Sequence, residues 1–112
     1  MTVDIHTKQL PQEIFAMAQS LVEALHPERI YLFGSFARGD TTADSDYDLM
    51  VVVADSKLPQ YRRSQAAHRV LSQFRMAKDV LVWTRDEFDG DVHLVASLPA
   101  TILREGILLY DS

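Results

Sequence analysis

The stretch YLFGSFARGDTTADSDYDLMVVV, residues 31–53, limits what this chain can become more than any other part of it. Residues 29–33 (RIYLF) and 48–53 (DLMVVV) are short β-branched or aromatic runs bounded by turn residues, the mark of buried strands. Between them lie Gly34-Ser35 and a polar loop, and the second run opens on Asp44, Asp46 and Asp48. Aspartate is depleted in strands, so its presence there calls for a compensating partner. Strand residues alternate between faces, which puts Asp46 and Asp48 on one side, with Cα atoms ~6.5–7 Å apart, and Tyr47 on the other. Two carboxylates so placed repel each other, and burial against a sheet worsens the repulsion unless a cation lies between them. A hard divalent ion such as Mg²⁺, which accepts carboxylate and phosphate oxygens together with water, is the expected remedy.

Gly34-Ser35 supplies a complementary half. Glycine at a strand end lets a ligand approach the backbone, and Ser35 to Arg38 are expected to start a short helix whose free N–H groups bind phosphate. Gly39 to Ser45 then return the chain so that the second strand lies beside the first. Turn and carboxylates can thus face one metal-bound triphosphate. Any one of these aspartates alone reads as a turn former or helix cap. The joint spacing, Gly34-Ser35, ten residues, Asp46, one residue, Asp48, arises by chance in roughly one chain in a thousand at average usage, which favours the functional reading.

The rest of the chain builds a frame around this motif. Leu10, Ile14, Met17, Leu21 and Leu25 recur at helical steps, so residues 10–25 are expected to be an amphipathic helix, with Pro11 in its first turn and His26-Pro27 ending it. A second helix is expected from Pro59 to Met76, with Tyr61, Ala67, Val70, Leu71 and Phe74 on its apolar face and Gln60, Arg62, Arg63 and Arg69 elsewhere. Tyr61-Arg62-Arg63 beside Arg69 forms a local basic patch, solvated by default. Residues 78–83 (KDVLVW) read as a third strand, after which Thr84 and Glu87 can form a capping box. Phe88, Val92, Val95, Leu98 and Ile102 continue as a helix that Pro99 should break or kink. Gly106 suits the position after that helix, and Ile107 to Tyr110 is the last strand. This alternation implies an α/β fold, a small mixed β-sheet flanked by helices, in one domain spanning residues 1–112.

Composition narrows the function classes. A formal charge of −5 argues against a broad nucleic-acid-coating surface. No apolar run reaches the ~20 residues of a membrane span. Asp4, His6 and Lys8 do not resemble the start of a secretory signal, so a cytoplasmic location is expected. Zero cysteines exclude disulfides and thiolate metal sites. His6, His26, His68 and His93 show no metal-ligand spacing with one another and read as surface or helix-end residues. Asp79 is the remaining candidate. It opens an apolar strand where a charge is unexpected, although Lys78 beside it offers a purely structural partner.

Gly34-Ser35 followed after ten residues by Asp46-Tyr47-Asp48 resembles the nucleotidyltransferase superfamily of DNA polymerase beta, and the chain is similar to its minimal nucleotidyltransferases. The resemblance runs from the first helix to the terminal REGILLYDS. It implies the polymerase beta-like fold, ATP or another nucleotide triphosphate as donor, and two Mg²⁺ ions held by three carboxylates. Asp46 and Asp48 match the paired ligands, and Asp79 the third, which in this family helps to bind the catalytic metal and activates the acceptor hydroxyl. Gly34 and Ser35 match the nucleotide-binding turn. Many relatives carry a basic residue directly after Gly-Ser; here that place is Phe36, and either Arg38 supplies the cation or it is a solvated helix residue. The minimal group implies an antitoxin that transfers AMP to a tyrosine of a HEPN ribonuclease toxin, in a hetero-oligomer with that toxin and with no direct nucleic-acid binding. A small-molecule nucleotidyltransferase and an antitoxin acting by binding alone are the alternatives.

Overall fold

The computed structural model describes residues 10–42 and 45–112. Asp4, His6, Lys8 and Asp44 lie outside them. The elements are α1 (Gln12–Leu25), β1 (Arg29–Phe33), α2 (Ser35–Arg38), β2 (Tyr47–Val53), α3 (Gln60–Val70), β3 (Lys78–Thr84), α4 (Arg85–Gly90), α5 (Leu98–Glu105) and β4 (Ile107–Asp111). The four strands form one sheet in the order β3-β2-β1-β4. β1 runs antiparallel to both β2 and β4, whereas β2 and β3 are parallel. The sheet is therefore mixed, as the alternation of elements implied.

Side-chain alternation divides the core between two faces. Ile30, Leu32, Leu49, Val51, Val80 and Val82 pack with Ile14, Met17 and Leu21 of α1 and Ala67 of α3. Tyr31, Met50 and Val52 meet Phe88 of α4 and Ile102 of α5 on the opposite face, in a smaller cluster. Tyr47 joins the first face, where its hydroxyl donates to Glu13 Oε1 at 3.2 Å. By the same alternation Asp48 and Asp79 belong to the second face, at the end of their strands where the cluster gives way.

Three helix boundaries differ from the sequence expectation, each for a local reason. α1 begins at Gln12, with Pro11 as its N-cap rather than inside its first turn; its end is as expected, with His26 in the left-handed conformation at φ 50° closing the last turn onto Val22 O. α3 stops at Val70 rather than Met76; a 3₁₀ turn, Leu71–Gln73, follows and buries Leu71. Lys78 Nζ donates to Phe74 O at 2.8 Å, satisfying a carbonyl beyond the helix. Beyond β3, the break falls at Gly90 and Asp91 rather than at Pro99, and residues 91–97 form turns with Val95 78% exposed. Pro99 sits instead in the first turn of α5, behind the Ser97 cap, where it lacks no helical hydrogen bond. Gly106 adopts an extended φ of −80°; it is required by space, because a Cβ there would meet Ile102 O at 2.6 Å.

The Thr84–Glu87 capping box forms as expected, with Thr84 N donating to Glu87 Oε1 at 2.8 Å and Glu87 N to Thr84 Oγ1 at 3.2 Å. Arg63 overturns its assignment to a solvated basic patch. It is buried, and it donates to Leu58 O at 2.8 Å, Val82 O at 3.0 Å and both oxygens of Glu87, at 2.7 and 3.1 Å. Tyr61 is 62% exposed and does not belong to the apolar face of α3. Its place is taken by the aliphatic stem of Arg63, a use of long cationic side chains that the hydrophobic pattern hides.

The hydrogen bonds from Arg63 hold the Glu87 carboxyl down at about 2 from its usual 4.5, with Thr84 and Gln60 assisting against the effect of burial. A carboxyl lowered on folding stabilises the fold above its unfolded value and loses that contribution as pH falls through the folded value. Stability should therefore decline between about pH 4.5 and pH 2. Arg63→Met is expected to cost about 2–3 kcal/mol, below the range for a fully buried pair because Glu87 remains partly hydrated. Urea melts of both proteins at pH 7 and pH 3 test this: the gap between them should narrow at the lower pH, and equal gaps would contradict the pairing.

Candidate active site

Gly34 follows the last residue of β1 with φ 74° and ψ −153°, a combination open in practice to glycine alone. This turn throws the chain directly into α2, as expected, and Gly39 closes that helix at φ 80°. Among the described residues no side chain caps the start of α2, so its first N–H groups are not committed to a cap. Phe36, which stands where many relatives are basic, is half-buried and packs at 4.2 Å, centroid to centroid, against Tyr47. It anchors α2 to the core. Arg38 is exposed and pairs with Asp40 at 3.2 Å.

Asp48 is the centre of the site. Its Cα is paired with Phe33 across the antiparallel ladder and with Asp79 across the parallel one. A Cβ on Gly34 would run into Asp48 Oδ2, so the missing side chain at Gly34 is what makes room for this carboxylate. Burial pushes the Asp48 carboxyl above its usual range; the charges of Asp79 and Asp46 push it further, and Arg38 pulls it back. Asp79, Asp46 and Arg38 thus all act on the Asp48 carboxyl. Asp46 precedes β2 by one residue and is exposed, in place of the strand position expected for it, because the ladder to β3 begins with Tyr47 N donating to Ala77 O at 3.0 Å.

Asp79 is 61% exposed, and its partner is not Lys78 but His68, whose Nε2 lies 3.4 Å from Oδ1. Sequence reasoning left His68 among the surface histidines. Its place in the last turn of an unevenly amphipathic helix carries no signal, since the contact exists only because α3 packs along β3. His26 is a helix-end residue as expected, and His93 lies exposed in the 91–97 turns.

The donors are carboxylate oxygens with no soft ligand among them, which suits a hard cation such as Mg²⁺. Among the described residues, no three His, Asp or Glu side chains are yet drawn together closely enough to hold an ion as they stand. The chemistry of the donors fits such an ion, for which Asp46, Asp48 and Asp79 are the candidate ligands.

An acidic site at the end of a mixed sheet, beside a glycine-serine turn, is the layout of a phosphoryl-group transferase. The chain belongs to the nucleotidyltransferase domain family, whose model matches residues 16–109. Over 55 residues it is 33% identical to "Putative protein adenylyltransferase MJ0141" of Methanocaldococcus jannaschii. That alignment covers 49% of this chain and 54% of the relative, so the match spans about half of the relative's length. Among solved structures it is similar to a "putative nucleotidyltransferase" from Sulfolobus solfataricus, with a TM-score of 0.59, 21% identity, and coverage of 99% of this chain and 92% of that one. It is similar also to a chain of the toxin-antitoxin MntA-HpeT, with a TM-score of 0.61, 20% identity, and coverage of 92% and 75%. A toxin-antitoxin solved with AMP-PNP gives 0.55, 21%, 91% and 75% in the same order. At these identities the structural likenesses establish the fold.

Two expectations follow from the glycines and from Asp48. Gly34→Ala should destabilise by at least ~2 kcal/mol, from backbone strain and displacement of Asp48, whereas Gly39→Ala, whose Cβ meets open space, should cost about 1 kcal/mol. Thermal melts rank the two, and a harmless Gly34→Ala would deny the contact. A carboxyl raised on folding contributes stability below its unfolded value, near 3.8 for Asp48, and loses it as pH rises through the folded value. Asp48→Asn should therefore leave the metal-free protein as stable or more stable at pH 7, with the difference vanishing toward pH 3. A lower melting temperature in EDTA at pH 7 would mean that Asp48 holds the fold by hydrogen bonds.

Proposed function

We propose that this nucleotidyltransferase is a protein adenylyltransferase antitoxin, which transfers AMP from ATP to a tyrosine hydroxyl of a HEPN-type ribonuclease toxin and releases pyrophosphate. The observation that carries the chemistry is the placement of the Asp48 carboxylate against Gly34, with Asp79 paired to it across the parallel ladder and Asp46 two residues before it. The adenylyltransferase name of the relative and the fold shared with toxin-antitoxin chains support the choice of donor and partner. The AMP-PNP complex of one structural neighbour agrees with a nucleotide substrate.

In this reading Gly34, Ser35 and the start of α2 receive the triphosphate, with Arg38 adding positive charge beside it. Asp46, Asp48 and Asp79 would hold two Mg²⁺ ions, which would supply charge neutralisation on the phosphates and a lowered acceptor pKa. Asp79 takes the proton of the acceptor hydroxyl. The acceptor oxygen forms a bond to the α-phosphorus while the bond from that phosphorus to the bridging oxygen breaks, and pyrophosphate carries away the electron pair. The AMP-tyrosine product blocks the toxin's RNase site. Both proteins would work as a hetero-oligomer in the cytoplasm, without direct contact between this chain and nucleic acid. Among the described residues no helix is long and apolar enough to cross a membrane.

Incubation with ATP, Mg²⁺ and the purified HEPN-type protein encoded in the adjacent reading frame tests the proposal, with the acceptor weighed by mass spectrometry. The wild-type chain should add AMP units, about 329 Da each, and Asp79→Asn should add none while retaining ATP affinity within roughly threefold. An unmodified yet silenced toxin would establish antitoxin action by binding alone. Modification of small hydroxylated compounds in place of the protein would establish the small-molecule reading.

A further inference from the structure

Asp79 poses a positioning problem that the sheet does not solve. It lies on the edge strand β3, its side chain is largely hydrated, and Asp48 on the neighbouring strand repels it. Left to itself, such a carboxylate turns outward to water. Lys78 cannot restrain it, because its Nζ is held by the carbonyl of Phe74. The contact that reaches Asp79 comes from a different element, at the 3.4 Å separation between His68 Nε2 and Asp79 Oδ1.

α3 presents that imidazole from a fixed base. One residue before His68, Ala67 is fully buried against the sheet. Five residues before it, Arg63 is tied to the carbonyl of Val82 on β3 and to Glu87 on α4. The shortest approach of His68 is to Asp79 Oδ1, as an ion-pair contact. We propose that His68 is a positioning residue for Asp79, holding its carboxylate beside Asp48 for a divalent cation. The inference rests on the reading of Asp79 as the third carboxylate of the site. As an exposed pair, His68 and Asp79 contribute little to stability, so a purely structural role predicts almost no change when the pair is lost. A partner that orients a ligating group, by contrast, typically changes metal affinity or activity 10–100-fold when removed.

The experiment uses the full chain as wild type, His68→Ala and His68→Gln, with Mn²⁺ as the probe cation and AMP-PNP present. Free Mn²⁺ is followed by electron paramagnetic resonance, and AMP transfer to the toxin is measured in parallel. His68→Ala should weaken Mn²⁺ binding about tenfold and lower kcat 10–100-fold, with the KM for ATP within about threefold and the melting temperature unchanged. His68→Gln, whose side-chain amide can donate to the same oxygen, should recover most of both losses. Equal Mn²⁺ affinity in His68→Ala overturns the inference, as does tighter binding, which would mean that His68 holds Asp79 away. A glutamine variant as poor as alanine also overturns it. If wild type binds no Mn²⁺, the metal-site reading falls and the inference with it. His68-dependent Mn²⁺ binding without any AMP transfer upholds the inference and overturns the adenylyl-transfer reading alone.

Discussion

The packing of the Asp48 carboxylate over the bare Cα of Gly34 governs the rest of the site. It requires a glycine for two independent reasons: the backbone conformation at that turn and the space that any Cβ would take from Asp48 Oδ2. It also sets a charged group into partial burial at the end of a sheet, next to two further carboxylates, without a cation among the described side chains strong enough to neutralise all three. Folding alone does not reward such an arrangement, since like charges in reduced dielectric raise the free energy of the ionised state. A site that binds a polyvalent cation and a polyanion does reward it.

The sheet converts this local contact into a geometry. Antiparallel pairing brings Phe33 and the Gly34 turn to Asp48 from one side, and parallel pairing brings Asp79 from the other. Both registers are fixed by the apolar rows behind them, because a one-residue slip would send the buried side chains of β2 to the wrong face. The helices α1 and α3 cover one face, while α4 and α5 cover the other only in part. The acidic end of that second face, with Asp46 and Asp79, stays exposed. Tyr47, between the two aspartates, locks the opposite side through Phe36 and Glu13.

Much of this was legible in the sequence because it depends on local rules. The β1 strand, the short helix after Gly34-Ser35 and the Thr84–Glu87 capping box each follow from neighbours within a few residues. The family follows from four spaced identities. What the sequence concealed depends on contacts between distant segments. Arg63 looks solvated until Glu87, 24 residues away, and two carbonyls meet its guanidinium. His68 looks idle until α3 lies along β3 and brings it to Asp79. The end of α3 and the break after Gly90 were misplaced because apolar spacing continues through both, whereas the 3₁₀ turn and the 91–97 turns are set by tertiary packing. Gly106 was correctly placed but for a different cause, close approach of Ile102 O rather than a left-handed cap.

The central claim is that the carboxylates gathered beside Gly34 form a divalent-cation site for a nucleotide triphosphate. Anomalous diffraction from crystals grown with Mn²⁺ and AMP-PNP tests it most directly. The account predicts Mn²⁺ coordinated by oxygens of Asp46 and Asp48, with Asp79 within reach of the same cluster and the triphosphate lying on the Gly34-Ser35 turn. Anomalous peaks away from these carboxylates, or a nucleotide bound elsewhere with the Asp48 side chain uncoordinated over Gly34, would contradict it.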